Sequence, residues 1–119
     1  MNPEWQCFFT KRRDEALAQS QQALVIDVND AAAHDDLGNL FFQKGEVDEA
    51  IDQYQKALAI NPDNATADNN LGRALLRKAQ VDAAMAEFQE ALRLHLHNSS
   101  AQNNLAEAQA FARQRAGQP

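Results

Sequence analysis

An all-α fold made of stacked antiparallel helix hairpins is predicted by three observations. The chain repeats itself at a fixed period, each repeat carries two helical stripes of apolar residues, and the apolar residues are mostly alanine and leucine. Periods of 20 to 50 residues mark repeat architectures, and alanine and leucine are among the strongest helix formers. Moving residues 31–64 onto 65–98 places Leu37-Gly38 on Leu71-Gly72, a period of 34 residues. The same shift pairs Lys44 with Lys78, Val47-Asp48 with Val81-Asp82, Ala50 with Ala84 and Ala57-Leu58 with Ala91-Leu92. Larger positions change conservatively, as Phe41 to Leu75 and Tyr54 to Phe88.

Within a unit, residues 31–44 form the first helix, with Leu37, Leu40, Phe41 and Phe42 at helical spacing. Gly45 supplies its stop. Val47, Ala50, Ile51, Tyr54, Ala57 and Leu58 give a second helix the same i, i+3, i+4, i+7 stripe. Pro62 cannot continue that helix, and Asp30, Asn64 and Asn98 stand at equivalent cap positions. The recurring small residues Gly38, Ala50 and Ala57 allow close helix approach. One such hairpin cannot cover its own apolar face, so the units must stack.

The predicted organisation is a degenerate leading repeat over 1–30, full repeats over 31–64 and 65–98, and a capping helix with tail over 99–119. In the leading segment Asp14-Glu15-Ala16-Leu17 falls on Asp48-Glu49-Ala50-Ile51, but residues 1–11 match a first helix poorly and predict a broken element there. Gln102, Glu107, Gln109, Arg113 and Gln114 give the trailing helix a polar outer side.

Leu37-Gly38, Phe41, Gly45, Ala50, Tyr54, Ala57 and Pro62 together resemble the tetratricopeptide repeat (TPR) consensus, over roughly residues 14–112. The second unit departs from it at Ala79, where glycine is expected, and at Leu96, where proline is expected. The resemblance implies a right-handed α-solenoid whose first helices line a concave groove, and a role in binding an extended peptide or a partner protein. It places groove residues at Asp36, Asn39, Phe42, Asn69, Asn70, Arg73, Leu76, Arg77, Asn103 and Asn104, with Asp35, Glu107 and Phe111 nearby. Asn70 and Asn104 resemble the rungs of an asparagine ladder that holds a peptide backbone, since an amide offers both acceptor and donors; the competing reading is ordinary solvated polar residues. The family's carboxylate clamp is not matched, because Asp35 stands where a lysine is needed. Arg73 and Arg77 either pair with an acidic ligand residue or balance Asp35, Asp36 and Glu107.

The other chemistry in the sequence is sparse. No nucleophile–base–acid constellation and no phosphate loop is evident, so no enzyme and no cofactor is expected. His95-Leu96-His97 has a metal-like spacing but lacks the three or four ligands of a zinc site, and reads as an exposed turn. The formal net charge of −6 disfavours nucleic acid. Lys11-Arg12-Arg13, followed by Asp14 and Glu15, reads as a solvated helix start. No apolar run is long enough to span a bilayer, and the single cysteine, Cys7, fits a reducing, cytoplasmic setting. Trp5, Phe8 and Phe9, with Cys7, form an aromatic cluster that either folds onto the first full hairpin as a makeshift cap or is an open end for an upstream repeat or for self-association with a second copy. The alternative function is therefore an assembly scaffold that stacks through its N-terminal end into a homo-oligomer, or the C-terminal part of a larger multi-repeat protein.

Overall fold

The computed structural model describes residues 4–26 and 30–117, and for residues 4–10, 25, 26 and 116 the backbone alone. Six helices follow one another, with no strand among the described residues: α1 (Glu4–Ile26), α2 (Ala31–Gln43), α3 (Val47–Ile60), α4 (Ala65–Arg77), α5 (Val81–Leu94) and α6 (Ser99–Gly117). The fold is a solenoid of helical hairpins, with α2 against α3 and α4 against α5 as the most extensive contacts.

Local signals set the boundaries. Asp30, Asn64 and Asn98 each accept a 3.1 Å hydrogen bond from the amide three residues on, at Ala33, Ala67 and Ala101, satisfying one orphan donor per helix start. Gly45 closes α2 with φ 83°, and Ala79 closes α4 with φ 63°, the left-handed conformation that glycine adopts most cheaply. The backbone repeats even where the residue does not.

Tyr54 and Phe88 are the largest fully buried side chains, and they fill the two hairpins at equivalent places. They anchor a core that runs through α3, α4 and α5 to Ala108 of α6, with Ala50, Ala74 and Ala84 fully buried in it. Burying such a ring is worth about 1.5–3 kcal/mol. Each ring packs directly against a glycine of the facing helix: a Cβ on Gly38 would come 2.6 Å from Tyr54 Cε1, and one on Gly72 2.5 Å from Phe88 Cε1.

The helices form two layers. In the inner layer α2 touches α4, and α4 touches α6; in the outer layer α1, α3 and α5 do not touch one another among the described residues. Neighbours that meet on one side and splay on the other curve the stack, with the α2–α4–α6 side as its hollow face.

The N-terminal region corrects two expectations. The backbone runs as one 23-residue helix from Glu4, with no break. Its sequence holds neither glycine nor proline, so nothing interrupts helix propagation. Lys11-Arg12-Arg13 consequently lies inside α1 and not at a helix start, and Arg13 Nη1 donates to the Gln43 carbonyl at 3.3 Å. The side chains of Trp5, Phe8 and Phe9 lie outside the described residues.

Candidate functional site

The hollow face carries two adjoining cavities. The first, about 500 Å³, is lined by Phe42 of α2, by Arg73, Leu76 and Arg77 of α4, and by Asn104, Glu107 and Phe111 of α6. The second, about 360 Å³, shares Phe42 and Arg73 and adds Asn39, Tyr54 and Asn70 among its walls. Helical spacing explains the convergence, because Arg73 and Arg77 are four apart and Asn70 and Arg73 three apart, on one stripe.

Phe42 is the centre of this surface. The guanidinium carbons of Arg73 and Arg77 lie 5.4 and 4.8 Å from its ring centroid. Such cation–π contacts contribute about 0.5–1 kcal/mol each at exposed sites. Among the described residues neither arginine has a carboxylate within ion-pair distance. Glu107 lines the same cavity without pairing, so direct neutralisation of the groove's own acids is not what holds these arginines. They rest on the ring with their charge available.

The asparagines are arranged differently from the sequence expectation. Asn104 Nδ2 donates to Asn69 Oδ1 at 3.0 Å, and Asn69 Nδ2 donates to Ser100 Oγ at 3.0 Å. One repeat earlier, Asn70 Nδ2 makes a longer 3.5 Å contact to Asp35 Oδ1. Asn39 Oδ1 accepts from the Tyr54 hydroxyl at 2.6 Å. Each step of the inner layer is thus stitched by the same amide position. Asn69, at 7% exposure, is a tie between α4 and α6 and not a groove wall. Its placement in the groove is corrected: one residue along a helix turns a side chain by about 100°, from the hollow to the helix seam. Asn103 is exposed but lines neither cavity, and exposed Asp36 faces a third cavity between α1 and α2. Burial raises the Asp35 carboxyl above its ordinary pKa, against the lowering effect of Asn70.

One polar feature escaped the sequence reading. Asp68 of α4 is 3% exposed and has a carboxylate oxygen without a hydrogen-bond partner. Desolvation, then the charge of the facing Glu87 carboxyl, raises its pKa to about 7. Glu87 is raised as well, chiefly by burial. The signal was present in the period, which places Asp68 on His34 and Glu87 on Gln53. His95 and His97 lie exposed around the turn between α5 and α6, and no cluster of three metal-ligating side chains occurs among the described residues.

Two family models match, one described as TPR repeat over residues 38–79 and one as tetratricopeptide repeat over residues 69–117. Among solved structures, the first TPR domain of Spaghetti (RPAP3), bound to the HSP90 peptide SRMEEVD, superposes with a TM-score of 0.82. It is 22% identical, over 88% of this chain and 84% of that one. The TPR domain of Arabidopsis OM64 gives 0.82 at 20% identity, over 87% and 86% of the two chains. MamA gives 0.81 at 21% identity, over 94% of this chain and 66% of that one. No curated protein matches. The class defined is an all-α solenoid of helical hairpins, a fold of protein–protein interaction modules. Within it, the chain belongs to the tetratricopeptide repeat family. No helix among the described residues is long and apolar enough to cross a membrane.

Proposed function

We propose that the hollow face formed by α2, α4 and α6 receives an extended segment of a partner polypeptide. The observation that carries this reading is the Phe42 platform: an aromatic ring overlain by two arginines, open to a cavity that Leu76 and Phe111 extend. Such a surface offers apolar contact and charge-assisted hydrogen bonding within one peptide residue's reach of each other. The peptide-bound relative, though similar only in fold, is in keeping with this use of the face. Backbone contacts come from whatever capacity Asn39, Asn70 and Asn104 retain beyond their intramolecular bonds. At about 1 kcal/mol per net hydrogen bond, three inner helices support affinities in the micromolar range.

Linear peptides selected by display on the folded chain test the reading. Binders should lose about tenfold in affinity on Phe42→Ala, with helicity unchanged by circular dichroism. Selected peptides that bind Phe42→Ala as tightly as the parent chain would refute the groove. Asn70→Ala and Asn104→Ala are poorer probes, because they also cut the stitches between inner helices.

A further inference from the structure

A cavity of about 460 Å³ lies between α1 and α2, and the repeat register identifies what it is shaped to hold. Its α1 wall is Ala16, Gln19, Ser20 and Ala23, the equivalents of Ala50, Gln53, Tyr54 and Ala57 in α3. In α3 these residues face the first helix of their own hairpin: Tyr54 lies against Gly38, and Gln53 bonds His34. The α2 wall includes Ala32 and Asp36, the equivalents of Ser100 and Asn104, which bond to the preceding inner helix at Asn69. The cavity therefore has the walls of a berth for one more inner helix. Ala50, Ala57, Ala84 and Ala91 are fully buried in the two hairpins, whereas Ala16 and Ala23 are only partly so.

At the opposite end of the stack, α6 presents the matching deficit. It is an inner helix that packs on α5 and α4, with no outer helix of its own among the described residues. We propose that α6 of one copy seats in the α1–α2 berth of the next, completing across two copies a hairpin that the described residues leave half-built at each end.

Three features of the register support this occupant. In both hairpins an aromatic ring on the outer helix faces glycine on the inner one, with no room for a Cβ; across the proposed joint Ser20 faces Ala106, and the missing ring leaves the space that the Cβ needs. Along the inner layer, the residue equivalent to Asn103 bonds the residue equivalent to Asp36 at every step, as Asn69 to Asn104 and Asp35 to Asn70. At the joint the Asn103 amide supplies the donor and the acceptor-only Asp36 receives it, and both are exposed in the single chain. Finally, the two helices without hairpin partners among the described residues are the two that overrun. α1 has 23 residues against 14 in α3 and in α5, and α6 has 19 against 13 in α2 and in α4. Helices that meet without a connecting turn can continue alongside each other beyond the point where a turn would end them. The contact is heterologous, so it propagates head to tail beyond the dimer, into a ring where its rotation closes and an open filament where it does not.

Sedimentation of the 119-residue chain over roughly 5 to 500 µM tests the proposal, with growth beyond the dimer as concentration rises. Ser20→Tyr fills the berth and should weaken association at least about tenfold, because the Ala106 Cβ then meets a ring. Adding Ala106→Gly recreates the glycine–aromatic pair and should restore it. Ser20→Tyr mixed with Ala106→Tyr, each monomeric alone and each folded by circular dichroism, should form a one-to-one dimer that grows no further. A parent chain that stays monomeric throughout overturns the proposal and leaves the berth to a helix of another protein. Oligomers indifferent to Ser20→Tyr and Ala106→Tyr, or lost only on Phe8→Asp, overturn it in favour of a different contact.

Discussion

The two complete hairpins, α2–α3 and α4–α5, share a backbone and differ in what they bury. In the first, the polar pair between helices joins an imidazole to an amide, with His34 Nδ1 2.8 Å from Gln53 Oε1. In the second, the same two positions hold Asp68 and Glu87, two acids facing each other in a desolvated seam. The first places a tyrosine against its glycine and ties the hydroxyl to Asn39; the second places a phenylalanine there with no tie. The repeat thus constrains shape far more tightly than polarity. Apolar contact is set by close packing, which tolerates little change in volume, while a buried polar pair needs only complementary or protonatable partners.

The largest effects should come from the glycines under the rings. Gly38→Ala and Gly72→Ala each force a Cβ into a ring that is 2% exposed at Tyr54 and 0% at Phe88, and each should cost about 1–3 kcal/mol in urea unfolding. The first hairpin should suffer more, because displacing Tyr54 also strains its hydrogen bond, worth about 1 kcal/mol. Repeating Gly38→Ala in a Tyr54→Phe background removes that tie and should bring the two costs together. Equal costs in the parent chain would mean that the hydroxyl moves with the ring.

Next in size is the acid pair. Its sign follows from linkage: the Asp68 carboxyl titrates near its ordinary value of 3.8 when unfolded and at about 7 when folded. The folded chain therefore holds a proton that the unfolded chain has released, and stability contributed here falls as pH rises from about 4 to about 7. Replacing both acids with their uncharged amides, by Asp68→Asn with Glu87→Gln, should flatten this slope. Discounted for solvent screening, the gain at pH 8 should be about 1–2 kcal/mol, read from thermal melts at pH 4 and pH 8. A gain as large at pH 4 as at pH 8 would show that packing, and not proton uptake, distinguishes the pairs.

The same contrast explains what was legible beforehand. The 34-residue period, the three caps and the close helix approach at recurring small residues are local or volumetric, and they are visible in Asp30, Asn64, Asn98, Gly38 and Gly72 alone. The groove was partly legible, since Phe42, Arg73, Leu76 and Arg77 share a stripe whose spacing is set by one helix. Asn69 was misplaced because its environment depends on how α6 crosses α4, a tertiary angle that no single helix encodes. The cation–π platform was hidden for a related reason: Phe42 and Arg77 belong to different units, and their approach depends on the curl of the stack. α1 was misread as broken because its pattern stops matching the repeat, although a helix can continue past the repeat pattern where neither glycine nor proline interrupts it.

The smallest predicted effect compares the two hairpin turns. Gly45 and Ala79 both adopt a left-handed backbone, at φ 83° and 63°. Glycine enters that region without steric penalty, while a residue with a Cβ incurs about 1–2 kcal/mol there. Glycine also has more freedom to lose on folding, which offsets part of the difference by about 0.4–1 kcal/mol. Ala79→Gly should therefore stabilise by up to about 1 kcal/mol, and Gly45→Ala should destabilise by a similar amount, since nothing near Gly45 obstructs an added Cβ. Because the two changes act on one backbone conformation, their effects should be opposite in sign and should nearly cancel in the double variant. If Ala79→Gly instead destabilises, the Ala79 side chain is making a contact worth more than the strain of its φ, and the second turn is not a strained copy of the first.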